Sequence, residues 1–299
     1  MQRVFFTRFF SYMEEIARLG SIRRAAEVLN VSASAIDKQL LRAEEELGVP
    51  LFERHPRGVR LTSAGELLMY RMRGWQKDMR AAASEIEELK GLRRGEVRIA
   101  VPQESVTSFL PQALSGFLRE NPRIFTSVRV AESDRVRQMV IAGEADFGLT
   151  FSPRPLPGVS VLRELPFRVL ALMPEDGRKS VSLDRFFSRP VLVPDATSHL
   201  RDVLDIAAAR AGVELAPVMT SNSLELLRQL VREGCGHGVI AACPDAFEGA
   251  GAGLAALPLR GAALPDLTMA LISPRDSSSA LASVLAKRHF ELFIDALKG

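Results

Sequence analysis

Apolar positions recur at helical spacing through the first third of the chain and alternate from about residue 96 onward. Phe5, Phe9, Met13 and Ile16 fall three or four residues apart, which predicts an amphipathic helix over residues 3–17. Gly20 ends it, and Ser21 can cap a second helix whose Ala25, Ala26 and Leu29 are small or apolar. After a tight polar break at Asn30-Val31, Ser32 can cap a third helix that runs to about Leu47, where Gly48 stops it. Ile36, Leu40, Ala43 and Leu47 share one arc of this helix and are expected to face a core. Ser34, Lys38, Leu41 and Glu45 point the opposite way, with Asp37 and Arg42 on the flanks. A basic, wing-like segment follows at His55-Pro56-Arg57-Gly58-Val59-Arg60. Capped helices, a tight turn and a wing make a winged helix-turn-helix, a shape that fits the DNA major groove.

The next pattern is longer. Thr62 or Ser63 can cap a helix reaching Leu89 or Lys90. Leu68, Met72, Trp75, Met79, Ala82, Ile86 and Leu89 follow one another at alternating spacings of four and three. That is the seam of a dimerising coiled coil, because an isolated apolar stripe needs a partner to bury it. Gly91 and Gly95 bracket a basic hinge.

From Glu96 the period becomes that of strands. Val97, Ile99 and Val101 alternate, and a helix from Phe109 to Leu118 follows a Ser/Thr-rich turn. A strand at 126–130, a helix from Ser133 to Ala142 and a strand at 145–149 continue the alternation. Further segments are a strand at 191–193, a helix after Ser198, a strand near Val218 and a helix over Leu224–Val231. The pattern ends with a strand at Leu267–Ile272 and a helix from about Ser278. Such β-α-β alternation implies an α/β region with a parallel sheet.

Composition narrows the classes. A chain of 299 residues is expected to hold two or three domains. Residues 1–94 carry 17 lysines and arginines against 13 acids, whereas the whole chain is only +3. The basic balance lies in the first third, which points to a polyanion partner for that part alone. Cys235 and Cys243 cannot form a disulfide framework and read as small buried residues rather than redox sensors. No run is long and apolar enough to span a membrane, and Arg3 and Arg8 interrupt the first phenylalanines, so a cytoplasmic location is expected.

With these residues placed, the chain resembles the LysR-type transcriptional regulators over its whole length. The resemblance is densest in Gly20-Ser21, Ala25-Ala26, Leu29-Asn30-Val31-Ser32, Glu44, Leu47-Gly48, Leu51-Phe52-Glu53-Arg54, Leu61-Thr62 and Ala64-Gly65. Weaker matches are Ile141-Ala142-Gly143 with Asp146-Phe147, and Leu230-Val231 with Gly234, Gly236 and Gly238-Val239. The resemblance implies a winged helix-turn-helix over 1–62, a dimerising linker helix over 63–92 and an effector-binding region over 96–299. That last region would have the type 2 periplasmic-binding-protein fold, with one lobe at 96–165 plus 268–299 and the other at 166–267. It also implies dimers or tetramers on an interrupted palindromic operator, bent in response to a small effector, with RNA polymerase as a partner if the chain activates. The recognition helix departs from the family at its start, where Ala33-Ser34 replaces the common Gln-Pro and Asp37-Lys38 the common Ser-Arg.

Candidate DNA contacts follow from chemistry. Ser21, Arg23, Ser32, Ser34, Lys38, Arg54 and Arg57 suit phosphates, and Arg57 on the wing suits the minor groove. Ala33, Asp37, Lys38 and Arg42 are candidates for base edges; Asp37 can only accept, so it suits a cytosine amino group. Effector candidates lie in turns between a strand end and a helix start. They are Gln103, Glu104, Ser105, Thr107, Ser133, Thr150, Phe151, Thr197, His199 and Asn222. If Glu104 and Asp195 both face the cleft, an amine or a polyol is the expected ligand; if they face solvent, an anion is.

The alternative reading is an enzyme or a simple small-molecule-binding protein on the same α/β halves. The four histidines have no metal-ligand spacing, and no nucleophile elbow, P-loop or dinucleotide fingerprint follows a strand. No catalysis, metal or cofactor is therefore expected.

Overall fold

A computed structural model describes residues 8–55, 58–89, 95–151, 158–244, 250–261, 264, 267–275 and 280–298. Contacts divide the chain into two compact units, Met1–Ile86 and Glu87–Gly299.

The first unit begins with helix α1 (Arg8–Leu19), α2 (Ile22–Leu29) and α3 (Ala33–Leu47). The expected caps form. Ser21 Oγ accepts the Arg24 N–H and Ser32 Oγ accepts the Ala35 N–H. Asn30 takes the left-handed conformation that makes the break between α2 and α3 tight. Met13, Ile16, Ala25, Ala26, Ile36 and Leu40 are buried together. Phe10 and Tyr12 join them, while Phe9 is only partly buried and Phe5 lies outside the described residues.

Leu47 does not take its expected core position and is 52% exposed. The last turn of α3 runs past the helices that cover Ile36 and Leu40, and Gly48 turns the chain back in the left-handed region. Leu51 fills the core instead. Its N–H and that of Phe52 are both accepted by Glu44 Oε1, at 2.6 and 3.2 Å. One carboxylate thus joins the end of the third helix to the first wing strand.

The wing is a hairpin of β1 (Phe52–His55) and β2 (Gly58–Leu61), paired Phe52 with Leu61 through His55 with Gly58. It is held to the α1–α2 turn by the Val59 N–H on Gly20 O, at 2.9 Å. Gly58 has φ +127°, and a Cβ there would lie 2.4 Å from that same carbonyl. Gly65 opens helix α4 (Ser63–Leu89) under a similar constraint, since a Cβ would lie 2.1 Å from Leu51 O. Thr62 serves as the N-terminal cap: its hydroxyl accepts the Gly65 N–H and donates to Pro50 O.

The linker stripe splits in two. Leu68 and Met72 are half-buried against the first unit's own core, together with fully buried Met69. Trp75, Met79 and Ile86 are exposed, and Trp75 leaves 61% of its surface uncovered. The first heptad therefore serves its own domain, because α4 starts on top of the three-helix core. The Leu89 side chain lies outside the described set.

The second unit is two-lobed. Its strands are β3 (Gly95–Val101), β4 (Ile124–Val130), β5 (Phe147–Phe151), β6 (Val159–Pro174) and β7 (Val181–Ser182), then β8 (Leu192–Pro194), β9 (Met219–Ser221), β10 (Gly238–Ala242), β11 (Leu254–Arg260) and β12 (Leu267–Pro274). Its helices are α5 (Gln103–Val106), α6 (Leu110–Glu120), α7 (Ser133–Ile141), α8 (Leu183–Phe186), α9 (His199–Arg210), α10 (Leu224–Arg232) and α11 (Leu281–Ala296). The main sheet runs β4-β3-β5-β12-β6-β11-β7, with β10 also on β6.

The sheet is mixed rather than parallel. β3 is parallel to β4 and β5 as expected, but β12 is antiparallel to β5 and β6, and β10 and β11 are antiparallel to β6. The reason is topological. The chain leaves the first lobe along β6, so the strand that brings it back must run the other way. β6 pairs with β12 from Val159 to Phe167 and with β10 and β11 from Arg168 to Pro174. Pro166 lies within it opposite Thr268, and a proline inside an apolar run argues against a continuous strand in sequence.

Both faces of the first lobe's sheet are covered, which explains why every residue of β5 is buried. Phe109, Phe117, Phe147 and Phe290 fill one face; Val136, Val140 and Ile272 fill the other. Asp146 joins β3 to the turn before β5. Its carboxylate accepts the Arg98 N–H at 2.8 Å and the Arg98 guanidinium at 3.1 Å, while that guanidinium also donates to Gly143 O.

Removing the Glu44 carboxylate leaves two backbone donors without their acceptor. Glu44→Ala is expected to destabilise the first unit by about 2 kcal/mol, read by chemical denaturation of the full chain with Trp75 fluorescence reporting on that unit.

Candidate DNA-reading and effector sites

The reading head presents the start of α3. Ser34 and Lys38 are exposed, and the Ser32 and Ser34 hydroxyls lie 3.1 Å apart at the helix N-terminus. Such a terminus offers free N–H groups and a positive dipole end to a phosphate. Ala33 is half-buried against the core, so only part of its methyl group faces outward. Asp37 is half-buried, and Arg42 is exposed and tied to Glu46 at 2.9 Å. Arg23 sits beside Glu27 at 3.4 Å, and both are well exposed. Ser21 is committed to its cap. Arg57 lies outside the described residues, as does the Arg54 side chain.

The second unit holds a pocket of about 500 Å³ between its lobes. Ser133, Asp134, Arg137 and Phe151 line it from the first lobe, and Thr197, His199 and Asp202 from the second. Of the expected effector residues, the structure brings Ser133, Phe151, Thr197 and His199 together here. The Phe151 and His199 rings stack at 6.0 Å and 17°. Arg137 pairs with Asp134 and donates to Phe151 O. His199 Nδ1 lies 3.5 Å from Asp202. Asp134, Arg137 and Asp202 were not foreseen from sequence, although each sits in the early turns of a helix that begins at an expected turn.

The other expected residues are spent elsewhere. Gln103 Oε1 accepts the Leu224 N–H at 2.9 Å, so a side chain of the first lobe caps α10 of the second. Glu104 is buried, and its Oε1 accepts the Ser198 hydroxyl at the start of α9, again across the lobes. Ser105 donates to Pro102 O and Thr107 to Glu104 O, both within the turn. Thr150 is buried and donates to Ser133 O, while Ser133 Oγ accepts the Phe151 N–H. Asn222 is exposed and does not line the pocket. Asp195 accepts the Thr197 N–H and hydroxyl at 3.0 and 2.6 Å.

These carboxylates crowd a third. Burial raises the carboxyl of Glu132, at the start of α7, to about 7, and the charges of Glu104 and Asp195 push in the same direction. Burial likewise pushes Glu104 up. Of the cysteines, Cys243 is buried as expected but Cys235 is exposed, because it sits in the turn opened by Gly234 at φ +75°.

A family model for the LysR substrate binding domain matches residues 90–291, and one for the bacterial regulatory helix-turn-helix protein of the lysR family matches residues 7–66. The chain belongs to the LysR family. It is a DNA-binding transcriptional regulator with an effector-binding domain. The RuBisCO operon transcriptional regulator of Allochromatium vinosum is 28% identical over 231 residues, covering 76% of each chain. The regulator BbuR of Bordetella bronchiseptica is 28% identical over 272 residues, covering 88% of this chain and 82% of its own. Among solved structures, a full-length OxyR variant from Pseudomonas aeruginosa superposes with a TM-score of 0.63 at 21% identity, covering 97% of this LysR chain and 93% of its own. Full-length CbnR bound to its target DNA gives 0.62 at 19%, covering 94% and 97%. These structural likenesses establish the shared fold.

The raised carboxyl of Glu132 fixes a pH dependence. A folded-state value above the unfolded one means that the folded chain holds the proton longer. Stability is then greatest below the ordinary carboxylate range and falls as pH rises toward about 7. Glu132→Gln is expected to raise the melting temperature at about pH 8, and the gain should shrink steadily toward about pH 5, in thermal unfolding across that range.

Proposed function

We propose that this regulator reads an interrupted palindromic operator as a homodimer or homotetramer, and that a small effector in the interlobe pocket changes how it bends that DNA. The reading divides the chain into a reading head over 1–62, a linker helix over 63–92 and a regulatory region over 96–299. Within the last, lobes at 96–165 plus 268–299 and at 166–267 accord with the change of partners along β6 near Phe167 and Arg168. The exposed stripe of Trp75, Met79 and Ile86 supports pairing through the linker helix. RNA polymerase is a partner in the activating mode. Among the described residues no helix is long and apolar enough to cross a membrane, and the proposed place of action is the cytoplasm.

The observation that carries this reading is the pocket itself. Phe151 and His199 form a stacked wall contributed by both lobes, so a ligand held there touches both and biases their relation. Of the helix starts around it, those of α9 and α10 are already occupied by Ser198, Ser223 and Gln103, while that of α7 carries no side-chain cap. Asp134 and Asp202 line the pocket beside a single arginine, Arg137, a balance that favours an amine or a hydroxyl-rich molecule over a simple carboxylate. The recognition helix supports an operator preference of its own, set by Ser34, Asp37 and Lys38.

Two measurements test this. Calorimetry of the full chain against small amines, sugars and acids is expected to show amines or sugars binding, with His199→Ala weakening them at least about tenfold. Operator affinity should shift by about 5- to 150-fold with that ligand, and ligand affinity by the same factor with operator, because coupling is reciprocal. Failure of genomic fragments to yield any specific site would remove the regulator mechanism. Within a found site, Lys38→Ala should lower affinity about tenfold and reduce the salt slope by about one.

A further inference from the structure

A second cavity, of about 280 Å³, lies wholly within the second lobe, where the end of β6, the turn after it, the end of α8 and the α10–β10 turn meet. Its charged lining is Arg178, Arg185 and Arg189 against a single acid, Asp176. Arg178 is held by Asp176 at 2.7 Å. Arg185 and Arg189 are exposed and have no carboxylate partner among the described residues. Two guanidiniums with uncommitted donor forks face one pocket, where a planar or tetrahedral oxyanion can be held bidentately.

The floor of the pocket is built rather than open surface. His237 is 8% exposed and lines it. Its backbone is fixed on both sides: its N–H donates to Pro190 O and its carbonyl accepts the Leu192 N–H, each at 2.8 Å. Its ring stacks on Phe186 at 5.9 Å, and Nδ1 lies 2.8 Å from Phe186 O. A carbonyl only accepts, so Nδ1 carries the hydrogen. That leaves Nε2 as the ring's remaining polar atom, without a partner among the described residues. Gly236 lies against Pro190, whose carbonyl would be 2.2 Å from any Cβ, so the turn presents bare backbone at the rim.

We propose that this cavity is a second ligand site, for a small phosphate-bearing molecule gripped by Arg185 and Arg189 with His237 beneath it. The contrast with the interlobe pocket supports the assignment. There, two acids stand against one arginine and the starts of α9 and α10 are taken by the protein's own side chains. Here, uncommitted cations surround a nearly buried imidazole. A phosphate carries close to two negative charges near neutral pH and three acceptor oxygens, which the donor forks of the two guanidiniums match. The site stands apart from the effector reading, since it shares no lining residue with the interlobe pocket.

The test uses the full chain with inorganic phosphate and pyrophosphate, against chloride at equal ionic strength. Calorimetry and thermal shift are expected to show saturable binding to the parent. The Arg185→Gln, Arg189→Gln double variant should lose at least tenfold in affinity, Arg189→Glu should abolish binding, and His199→Ala should bind as the parent does. Because both arginines are exposed, the melting temperatures without phosphate should match the parent's, which confirms that the variants are folded. Absence of saturable binding overturns the proposal, as does equal affinity in the double variant. Loss in His199→Ala alone also overturns it, because the anion would then sit between the lobes.

Discussion

Strand β6 holds one direction for sixteen residues while its neighbours change, and the regulatory fold depends on that continuity. One half is laddered to β12 and through it to the first lobe's sheet; the other half is laddered to β10 and β11. A shift of one residue in the first register would turn Leu165 and Phe167 from the core to the opposite face. The same shift carried along the strand would reverse Ala171 and Met173 in the second lobe. The two lobes therefore cannot choose their packing independently. Phe167, at the change of partners, packs edge-on against Phe151 at 5.2 Å, and Phe151 in turn faces His199 across the pocket. The strand that unites the lobes thus also supports the wall of the site between them.

The chemistry around that site follows from what the protein's own side chains already occupy. Gln103 and Glu104 leave one short helix of the first lobe and bond to the starts of α10 and α9 in the second. Helix starts in open α/β folds are good anion sites because their N–H groups lack acceptors. At α9 and α10, Ser198, Ser223 and Gln103 supply those acceptors. The charge balance is then set by the residual carboxylates, and Glu132 responds by holding its proton up to about neutral pH.

Legibility in the sequence followed the range of the interaction. Caps at Ser21 and Ser32 are fixed by residues three positions away, and each formed where the pattern placed it. The outward face of α3 was equally local. Leu47 was not, because its exposure depends on where neighbouring helices stop covering α3. β6 was hidden by Pro166, a local signal against a strand that distant pairing overrides. Thr150 and Asn222 fit the rule for ligand turns, yet Thr150 is buried against the Ser133 carbonyl and Asn222 is exposed outside the pocket. Glu132 gave no signal at all, since its state reflects Glu104 and Asp195, which come near it only after folding.

The first turns of α4 share their core with the recognition helix. Leu68, Met69 and Met72 lie in the same cluster as Ile36 and Leu40, and Gly65 allows α4 to start hard against the Leu51 carbonyl. Glu44 ties the far end of the recognition helix to the wing. Helix, wing and the root of the linker therefore pack as one body, and α4 runs on from it unbroken to Leu89. A torque applied along the linker would turn the recognition helix and the described part of the wing together. An operator bent by such a body through tens of degrees would store on the order of a few kcal/mol.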